Sequence, residues 1–224
     1  MNNNEEILAE FWNILNLTTD YLTTGSENVH TRLQISTDNL EKIANEISVC
    51  TKCKLCETRI KTVPGKGSLN PALMIIGEGP GADEDKCGHP FVGRAGQYMD
   101  KWMDAIDLVR EKDLFLANIV KCRPPDNRDP LPGEVAACLP YLERQIYLLK
   151  PKLILSVGRI SSQILTGSSE GIGSLRGKTY NYKGISLVPT YHPSGVLRNP
   201  DEYRKPVWED LKMVRECLDE INKK

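Results

Sequence analysis

The chain has 224 residues, of which 40% are hydrophobic, and a formal net charge of -1 at pH 7. This length allows one domain with a full hydrophobic core, so we expect a single main domain. The near-neutral charge excludes a general attraction to nucleic acid, so any such binding must rest on local patches such as the basic segment 52–66. An N-terminal signal segment and a long apolar run are both lacking, which predicts a cytoplasmic protein that does not contact the membrane.

Residues 1–36 are predicted to form an N-terminal helical extension, because one helix-like apolar set runs into the polar stretch "TTGSENVHTR". The main domain is predicted to span residues 37–224. Its first helix should start at a capping box formed by Asp38 and Glu41, and it should end just before Cys50. We assign no chemistry to the extension.

From residue 72 onwards, short apolar runs alternate with stretches of helical periodicity. The runs predict strands at 72–76, 114–120, 153–157 and 185–188, with helices between them and a last helix at about 207–221. This alternation is typical of an α/β fold with a mostly parallel sheet. Ligands of such sheets bind beyond the carboxyl ends of the strands, so we expect the functional site there.

The first strand is followed by a glycine-rich segment, "GEGPGADEDKCGHPFVGRAG" at residues 77–96. Glycines allow backbone N–H groups to approach an anion or a planar ring. The segment matches neither the dinucleotide fingerprint nor the Walker loop, and a tight strand-to-helix connection explains its glycines equally well. Phe91 within it is either a core residue or a platform that stacks on a ring.

Two further strand ends carry polar side chains that could act on a base. Asn118 ends the second predicted strand and offers donors and an acceptor on one side chain, although alone it is better explained as a strand-terminating residue. His192, one of three histidines, follows the last strand and is the candidate catalytic histidine. Leu197 and Arg198 follow it, and such a pair can wedge into a base stack and hold a phosphate or simply form a surface turn.

The cysteines point to a metal site, since clustered cysteines in a reducing compartment seldom form disulfides. Cys50 and Cys53 form a C-x2-C pair, and Cys122 and Cys138 follow later. Four thiolates could hold either zinc or an iron-sulfur cluster, and the spacing does not separate these possibilities. Cys56 lies three residues after Cys53 and is a competing ligand.

The segments "GEGPG", "PFVGRAGQ", "KCRPP" and "PTYHPSGVLRNP" together closely resemble the iron-sulfur uracil-DNA glycosylases of family 4. The resemblance runs from about Cys50 to Trp208. It implies a three-layer α/β/α sandwich that hydrolyses the bond between uracil and deoxyribose and leaves an abasic site. The implied partner is uracil-containing DNA, and we expect a monomer. The implied cofactor is a 4Fe-4S cluster, with Cys56 not a ligand and the cluster bound by Cys50, Cys53, Cys122 and Cys138.

The resemblance also implies the roles of individual residues. The uracil pocket is expected to contain Gly77, Glu78, Gly79, Phe91, Asn118 and His192. The expected DNA contacts are Leu197, Arg198, Arg94 and Ser194. In this reading Phe91 stacks on the base, Asn118 reads its edge, and His192 stabilises the departing uracil anion.

The group that activates water is the open step of this prediction. The related glycosylases best known for the reaction have an aspartate where this sequence has Gly79, so the base must come from elsewhere. Glu84 is the first candidate, with Asp83 and Asp85 behind it, and Glu78 is expected to orient the loop.

Two other classes of protein remain compatible with the same residues. One is a non-catalytic nucleic-acid-binding module with a zinc or iron-sulfur site, in which Phe91 and His192 are core residues. The other is a redox-sensing protein that uses the cluster. Release of uracil from a defined oligonucleotide separates the glycosylase from the binding module.

Overall fold

The structure is a computed structural model that describes residues 38–223. A compact unit begins at Ile43. The predicted extension, residues 1–36, lies outside the described residues, so its boundary with the main domain stays a prediction.

The first described helix, α1 (Leu40–Ser48), starts one residue later than its capping pattern suggests. The side-chain oxygen of Asn39 accepts a hydrogen bond from the backbone N–H of Lys42 at 2.7 Å. Asn39 therefore acts as the N-cap, and the prediction of Asp38 as the capping residue is wrong by one position. Both residue types cap well, so sequence alone could not choose between them.

A six-stranded sheet forms the centre of the unit, in the order β1-β3-β2-β4-β6-β5. Strands β3, β2, β4 and β6 are parallel to one another, and the short strands β1 and β5 pair antiparallel at the two edges. The strands are β1 (Lys66–Gly67), β2 (Leu73–Gly77), β3 (Leu114–Asn118), β4 (Leu153–Val157), β5 (Tyr180–Tyr182) and β6 (Ile185–Thr190). The predicted mostly parallel sheet is confirmed, and the two edge strands were missed because neither contains an apolar run.

Both faces of the sheet are buried, which makes the fold a three-layer α/β/α sandwich. Side chains along a strand alternate between faces. Leu73 and Ile75 of β2 pack into a core with the helix residues Met99, Trp102 and Leu211. Every residue of β2, β3 and β4 is nevertheless buried, so the second face is covered as well.

The helices connect the parallel strands and frame their carboxyl ends. They are α2 (Ala82–Cys87), α3 (Arg94–Asp104), α4 (Arg110–Asp113), α5 (Pro132–Leu149), α6 (Arg159–Thr166), α7 (Ile172–Leu175), α8 (Pro193–Arg198) and α9 (Pro200–Asn222). Helix α9 starts seven residues before the predicted 207, because Pro206 reads as a helix breaker in the sequence but lies within the helix. Among residues 38–223, no helix combines the length and apolar character needed to cross a bilayer.

The order of the strands places a crevice at the carboxyl end of β2. The chain leaves β2 for β3 on one side and later returns to β4 on the other side, so the crossover connections diverge at this strand. Gly77 at the end of β2 pairs with Asn118 at the end of β3. The sheet therefore brings two segments of the predicted site together.

Candidate active site

A cleft of about 470 Å³ opens at the carboxyl ends of the parallel strands. This volume lies in the range of small-molecule sites. The predicted site residues that line it are Glu78, Gly79, Glu84, Phe91, Asn118, His192, Ser194 and Arg198. Residues separated by more than a hundred positions in the sequence thus share one cavity.

Three of the residues predicted for the uracil pocket and the DNA contacts do not line the cleft. Gly77 lies behind it, where an added Cβ would be 2.5 Å from Asn118 Oδ1 and 2.8 Å from the Phe91 ring. The glycine therefore lets these two side chains approach the end of β2. Arg94 is exposed at the start of α3, and the side chain of Leu197 on α8 is 37% exposed.

Phe91 belongs to both of the alternatives raised by its sequence context. It packs with the hydrophobic core and also lines the cleft, with 6% of its surface exposed. Its ring centroid lies 6.5 Å from that of His192, and the two ring planes meet at 30°. Its backbone is left-handed, with φ at 53°, a conformation that costs a bulky residue on the order of 1 kcal/mol.

Asn118 is almost fully buried and is held through its backbone. The buried amine of Lys121 donates to the carbonyl oxygen of Asn118 and to Oε1 of Gln145, both at 2.9 Å. Burial lowers the pKa of Lys121 to about 8. This role could not be predicted from the sequence, because a lysine in a loop is expected to be exposed.

His192 occupies the N-cap position of α8, where its Nδ1 atom accepts a hydrogen bond from the backbone N–H of Ser194 at 3.2 Å. Since a backbone amide can only donate, Nδ1 is unprotonated and the proton of the neutral ring resides on Nε2. Burial lowers the pKa of His192 to about 4, and the nearby Arg198 cation acts in the same direction. The imidazole is therefore neutral at physiological pH.

Glu84 binds backbone groups on both sides of its loop. Oε1 accepts hydrogen bonds from the N–H groups of Val92 and Gly93 at 2.9 and 3.0 Å, and Oε2 accepts one from Gly81 at 3.0 Å. These contacts tie the start of α2 to the segment after Phe91. Its predicted role as the water-activating group stays a prediction, although three donors already occupy its oxygens.

The two carboxylates ranked behind Glu84 do not line the cleft. Asp85 is buried, and its Oδ1 atom accepts hydrogen bonds from the backbone N–H groups of Ile60 at 2.9 Å and Lys61 at 3.4 Å. Asp83 is exposed on α2. Asp85 thus fastens the basic segment 52–66 to the glycine-rich region.

Glu78 is half-buried in the cleft beside an ion pair that the sequence did not predict. Arg159, at the start of α6, pairs with Asp129 from the loop after β3. Burial and the negative charge of Asp129 raise the pKa of Glu78 to about 7, while Arg159 opposes the shift. Arg159 belongs to the "GR" at the end of β4, so its position at a strand end was the available signal.

A second cavity is lined by Cys50, Cys53, Cys122 and Cys138, and Cys56 is not part of its lining. The guanidinium of Arg59 donates to Cys122 Sγ at 3.3 Å, and the backbone N–H of Lys121 donates to Cys138 Sγ at 3.2 Å. Cys122 follows β3 and Cys138 lies in the second turn of α5.

Burial raises the pKa of three of these thiols, namely Cys53, Cys122 and Cys138, and brings that of Cys138 to about 11. A metal would have to replace these protons on binding. Among residues 38–223, no group of three or more His, Cys, Asp or Glu side chains has the arrangement that could hold a metal ion. The four cysteines nevertheless line one cavity.

The α/β/α sandwich with its cleft beyond the strand ends agrees with comparisons to known proteins. The family model "Uracil DNA glycosylase superfamily" matches residues 64–212. The chain is 44% identical over 187 residues to the type-4 uracil-DNA glycosylase of Sulfurisphaera tokodaii, an alignment that covers 80% of this chain and 84% of the relative.

Two further type-4 uracil-DNA glycosylases show similar coverage. The enzyme of Thermotoga maritima is 38% identical over 80% of this chain and 94% of its own length. The enzyme of Archaeoglobus fulgidus is 37% identical over 80% of this chain and 93% of its own length. The chain therefore belongs to the type-4 family of the uracil-DNA glycosylase superfamily.

Proposed function

We propose that the protein is a DNA repair glycosylase that hydrolyses the N-glycosidic bond of deoxyuridine in DNA, releasing uracil and leaving an abasic site. The observation that carries the proposal is that Phe91, Asn118 and a neutral His192 line one cleft of nucleobase-compatible size. The non-catalytic alternative treats Phe91 and His192 as core residues only, and their place in the cleft speaks against it. We propose a cytoplasmic enzyme that acts as a monomer.

Base binding begins with extrusion of the deoxyuridine, because the target bond is out of reach inside a duplex. Leu197 and Arg198 are both exposed at the end of α8. They fill the gap that the extruded nucleotide leaves in the duplex and bind the DNA backbone. Arg94 at the exposed start of α3 adds a phosphate contact, as does the hydroxyl of Ser194. Phe91 then stacks on the ring.

Asn118 distinguishes uracil from cytosine through its amide. The side chain accepts the ring N–H of uracil and donates to the neighbouring carbonyl. Cytosine presents the reverse pattern at these two positions, which leaves both partners unpaired and costs binding energy. The hydrogen bond from the Lys121 amine to the backbone carbonyl of Asn118 fixes Asn118 in place for this recognition of the base.

His192 stabilises the uracil anion that forms as the glycosidic bond breaks. Its Nε2–H donates to the developing oxyanion, and backbone N–H groups near Gly79 supply further stabilisation. Because Nδ1 is already bonded to Ser194, the donor is oriented before the reaction begins.

We propose Glu78 as the carboxylate that activates water, with Glu84 as an organiser of the loop. A general base works best when its pKa lies near the working pH, and the pKa of Glu78 is raised to about 7. Glu84 is committed to three backbone donors. The proton taken from water resides on Glu78 until it exchanges with solvent.

We propose that Cys50, Cys53, Cys122 and Cys138 hold a 4Fe-4S cluster. The four cysteines line one cavity, and four thiolates are the usual ligands of such a cluster. With Cys53 of the basic segment 52–66 and Cys138 of α5 as ligands, a bound cluster would supply metal–thiolate bonds between these two elements. The hydrolysis consumes no electron, so we assign the cluster a structural role.

The test is uracil release by the cluster-containing protein from an oligonucleotide with one uracil, followed as strand breakage after alkali. We expect cleavage at uracil and none in matched oligonucleotides with cytosine or thymine. Wild-type protein with its full metal content that releases no uracil would overturn the proposal.

A further inference from the structure

We propose that Arg110, together with Asp100, is a positioning residue that holds Phe91 in the orientation needed to stack on uracil. The inference rests on the proposed function, because it assigns Phe91 the stacking role. It concerns two residues that neither line the cleft nor form part of the cysteine cavity.

Phe91 needs external support, because its backbone is left-handed with φ at 53°. This region disfavours residues with a bulky side chain. The residues on either side of Phe91 are not glycines, so they do not make the backbone at this position more flexible. Such a conformation persists only where the surroundings fix it.

Arg110 supplies this support on the carbonyl side of Phe91. Its Nη2 atom donates to the carbonyl oxygen of Pro90 at 2.8 Å and to that of Phe91 at 3.0 Å. Its Nη1 atom donates to Asp100 Oδ1 at 2.7 Å. The guanidinium thus spans two consecutive carbonyls while a carboxylate from α3 fixes its direction, which the single ammonium of a lysine could not reproduce.

The amide side of Phe91 is held separately. Glu84 accepts the N–H groups of Val92 and Gly93, the two residues that follow Phe91. Beneath the turn, a Cβ added to Gly96 would collide with the Phe91 carbonyl. Hydrogen bonds therefore hold both the carbonyl groups and the N–H groups of the backbone at 90–93. Arg110 binds the carbonyl groups, and Glu84 binds the N–H groups.

The orientation of the Phe91 ring depends on this backbone. The ring lies beside the end of β2, where an added Cβ on Gly77 would be 2.8 Å from it, and it stands next to His192. If φ relaxed to a negative value, the ring would leave this position and would have to be returned before stacking. Arg110 removes that cost in advance, as preorganisation does in binding sites generally.

The test compares Arg110→Gln, Phe91→Ala and the double variant in the cluster-containing protein. The readouts are the inhibition constant of free uracil and the single-turnover rate on uracil-containing single-stranded DNA. We expect Arg110→Gln and Phe91→Ala each to weaken inhibition by uracil about tenfold, a loss within the range typical of one base–aromatic stacking contact. The double variant should be no weaker than Phe91→Ala alone, because Arg110 acts only through Phe91.

Arg215→Gln is the matched control. Arg215 likewise pairs with an aspartate, Asp219 at 2.8 Å, and donates to one backbone carbonyl, that of Ile106 at 3.2 Å. It lies on α9, and its loss should leave inhibition by uracil unchanged. A tenfold loss of inhibition by uracil in Arg215→Gln would show that losing any such arginine–aspartate pair has this effect. That result would overturn the proposal.

Two other results would also overturn it: unchanged inhibition in Arg110→Gln, or losses that multiply in the double variant. If Arg110→Gln does not fold, Asp100→Asn takes its place, since it loosens Arg110 while sparing the bonds to the Phe91 segment. Failure of the proposed function is seen independently, as wild-type protein that releases no uracil.

Discussion

The Nδ1 atom of His192 lies 3.2 Å from the backbone nitrogen and 2.7 Å from the hydroxyl oxygen of Ser194. The backbone N–H alone is sufficient to keep Nδ1 as an acceptor and the proton of the neutral ring on Nε2. The hydroxyl is a second, dispensable partner in this arrangement.

We therefore expect unequal effects when the two side chains are removed. His192→Ala should lower the single-turnover rate by about 10² to 10³, the loss typical of one oxyanion donor. Ser194→Ala keeps the backbone N–H and should lower it by about tenfold or less. Equal losses in the two variants, measured on the same uracil-containing oligonucleotide, would contradict the assignment of the tautomer.

The raised pKa of Glu78 predicts the pH dependence of the reaction. A carboxyl group with a pKa of about 7 is mostly protonated at pH 5 and cannot accept a proton from water. The rate should rise with pH and level off above about 7, whereas the low pKa of His192 adds no step in this range. Glu78→Gln should remove the rise and lower the plateau by about 10² to 10⁴.

Asp129→Asn offers an internal check on this assignment. Asp129 raises the pKa of Glu78, so its neutralisation should move the rise in rate to lower pH. Neutralising Arg159, which opposes the shift, should move it to higher pH. A wild-type profile without a rise between pH 5 and 8 would remove Glu78 from the role.

The sequence was informative where the type of a residue and its place in the chain were enough to predict its position in the fold. Runs such as 153–157 predicted buried strands because a doubly covered sheet needs continuous apolar segments. His192 and Asn118 were predicted as site residues because they lie at strand ends, which a parallel sheet brings together. The resemblance supplied their grouping before the structure did.

Interactions between distant residues could not be predicted from the sequence. The pairing of Asp129 with Arg159 and the bonds from Arg110 to the Phe91 segment depend on how loops fold over the sheet. Our proposal of Glu78 rather than Glu84 as the base likewise rests on the backbone donors around Glu84, which the sequence does not show. Nothing in the spacing of Lys121 indicates a buried amine.

Glu84 provides a test that separates an organising role from a catalytic one. In Glu84→Gln, the amide NH₂ faces backbone N–H donors that the carboxylate accepted, so about 1 to 3 kcal/mol of unfolding free energy should be lost. Denaturant unfolding measures this loss, and the single-turnover rate should fall far less than in Glu78→Gln. Asp83→Asn, on the exposed face of the same helix, should change neither quantity.

A rate loss of about 10² or more in Glu84→Gln, with unchanged stability, would instead identify Glu84 as the base. Stability and rate are therefore measured on the same preparation.

The cysteines of "CTKCKLC" are expected to differ in their effect on iron content. Cys50 and Cys53 line the cavity shared with Cys122 and Cys138, whereas Cys56 does not. The backbone N–H of Cys56 donates to the Cys53 carbonyl at 3.2 Å, so Cys56 contributes its backbone to the turn that presents Cys53. This contact does not require the thiol.

Cys56→Ser should therefore keep the iron content and visible absorbance of the wild type, while Cys53→Ser should lose most of both. Loss of the proposed cluster should also weaken DNA binding and lower the midpoint of thermal unfolding, because its metal–thiolate bonds would join the basic segment 52–66 to α5. Anaerobic purification followed by metal analysis measures the first effect directly. Full iron content in Cys53→Ser together with its loss in Cys56→Ser would reverse the assignment, since the ligand pair would then be the other C-x2-C.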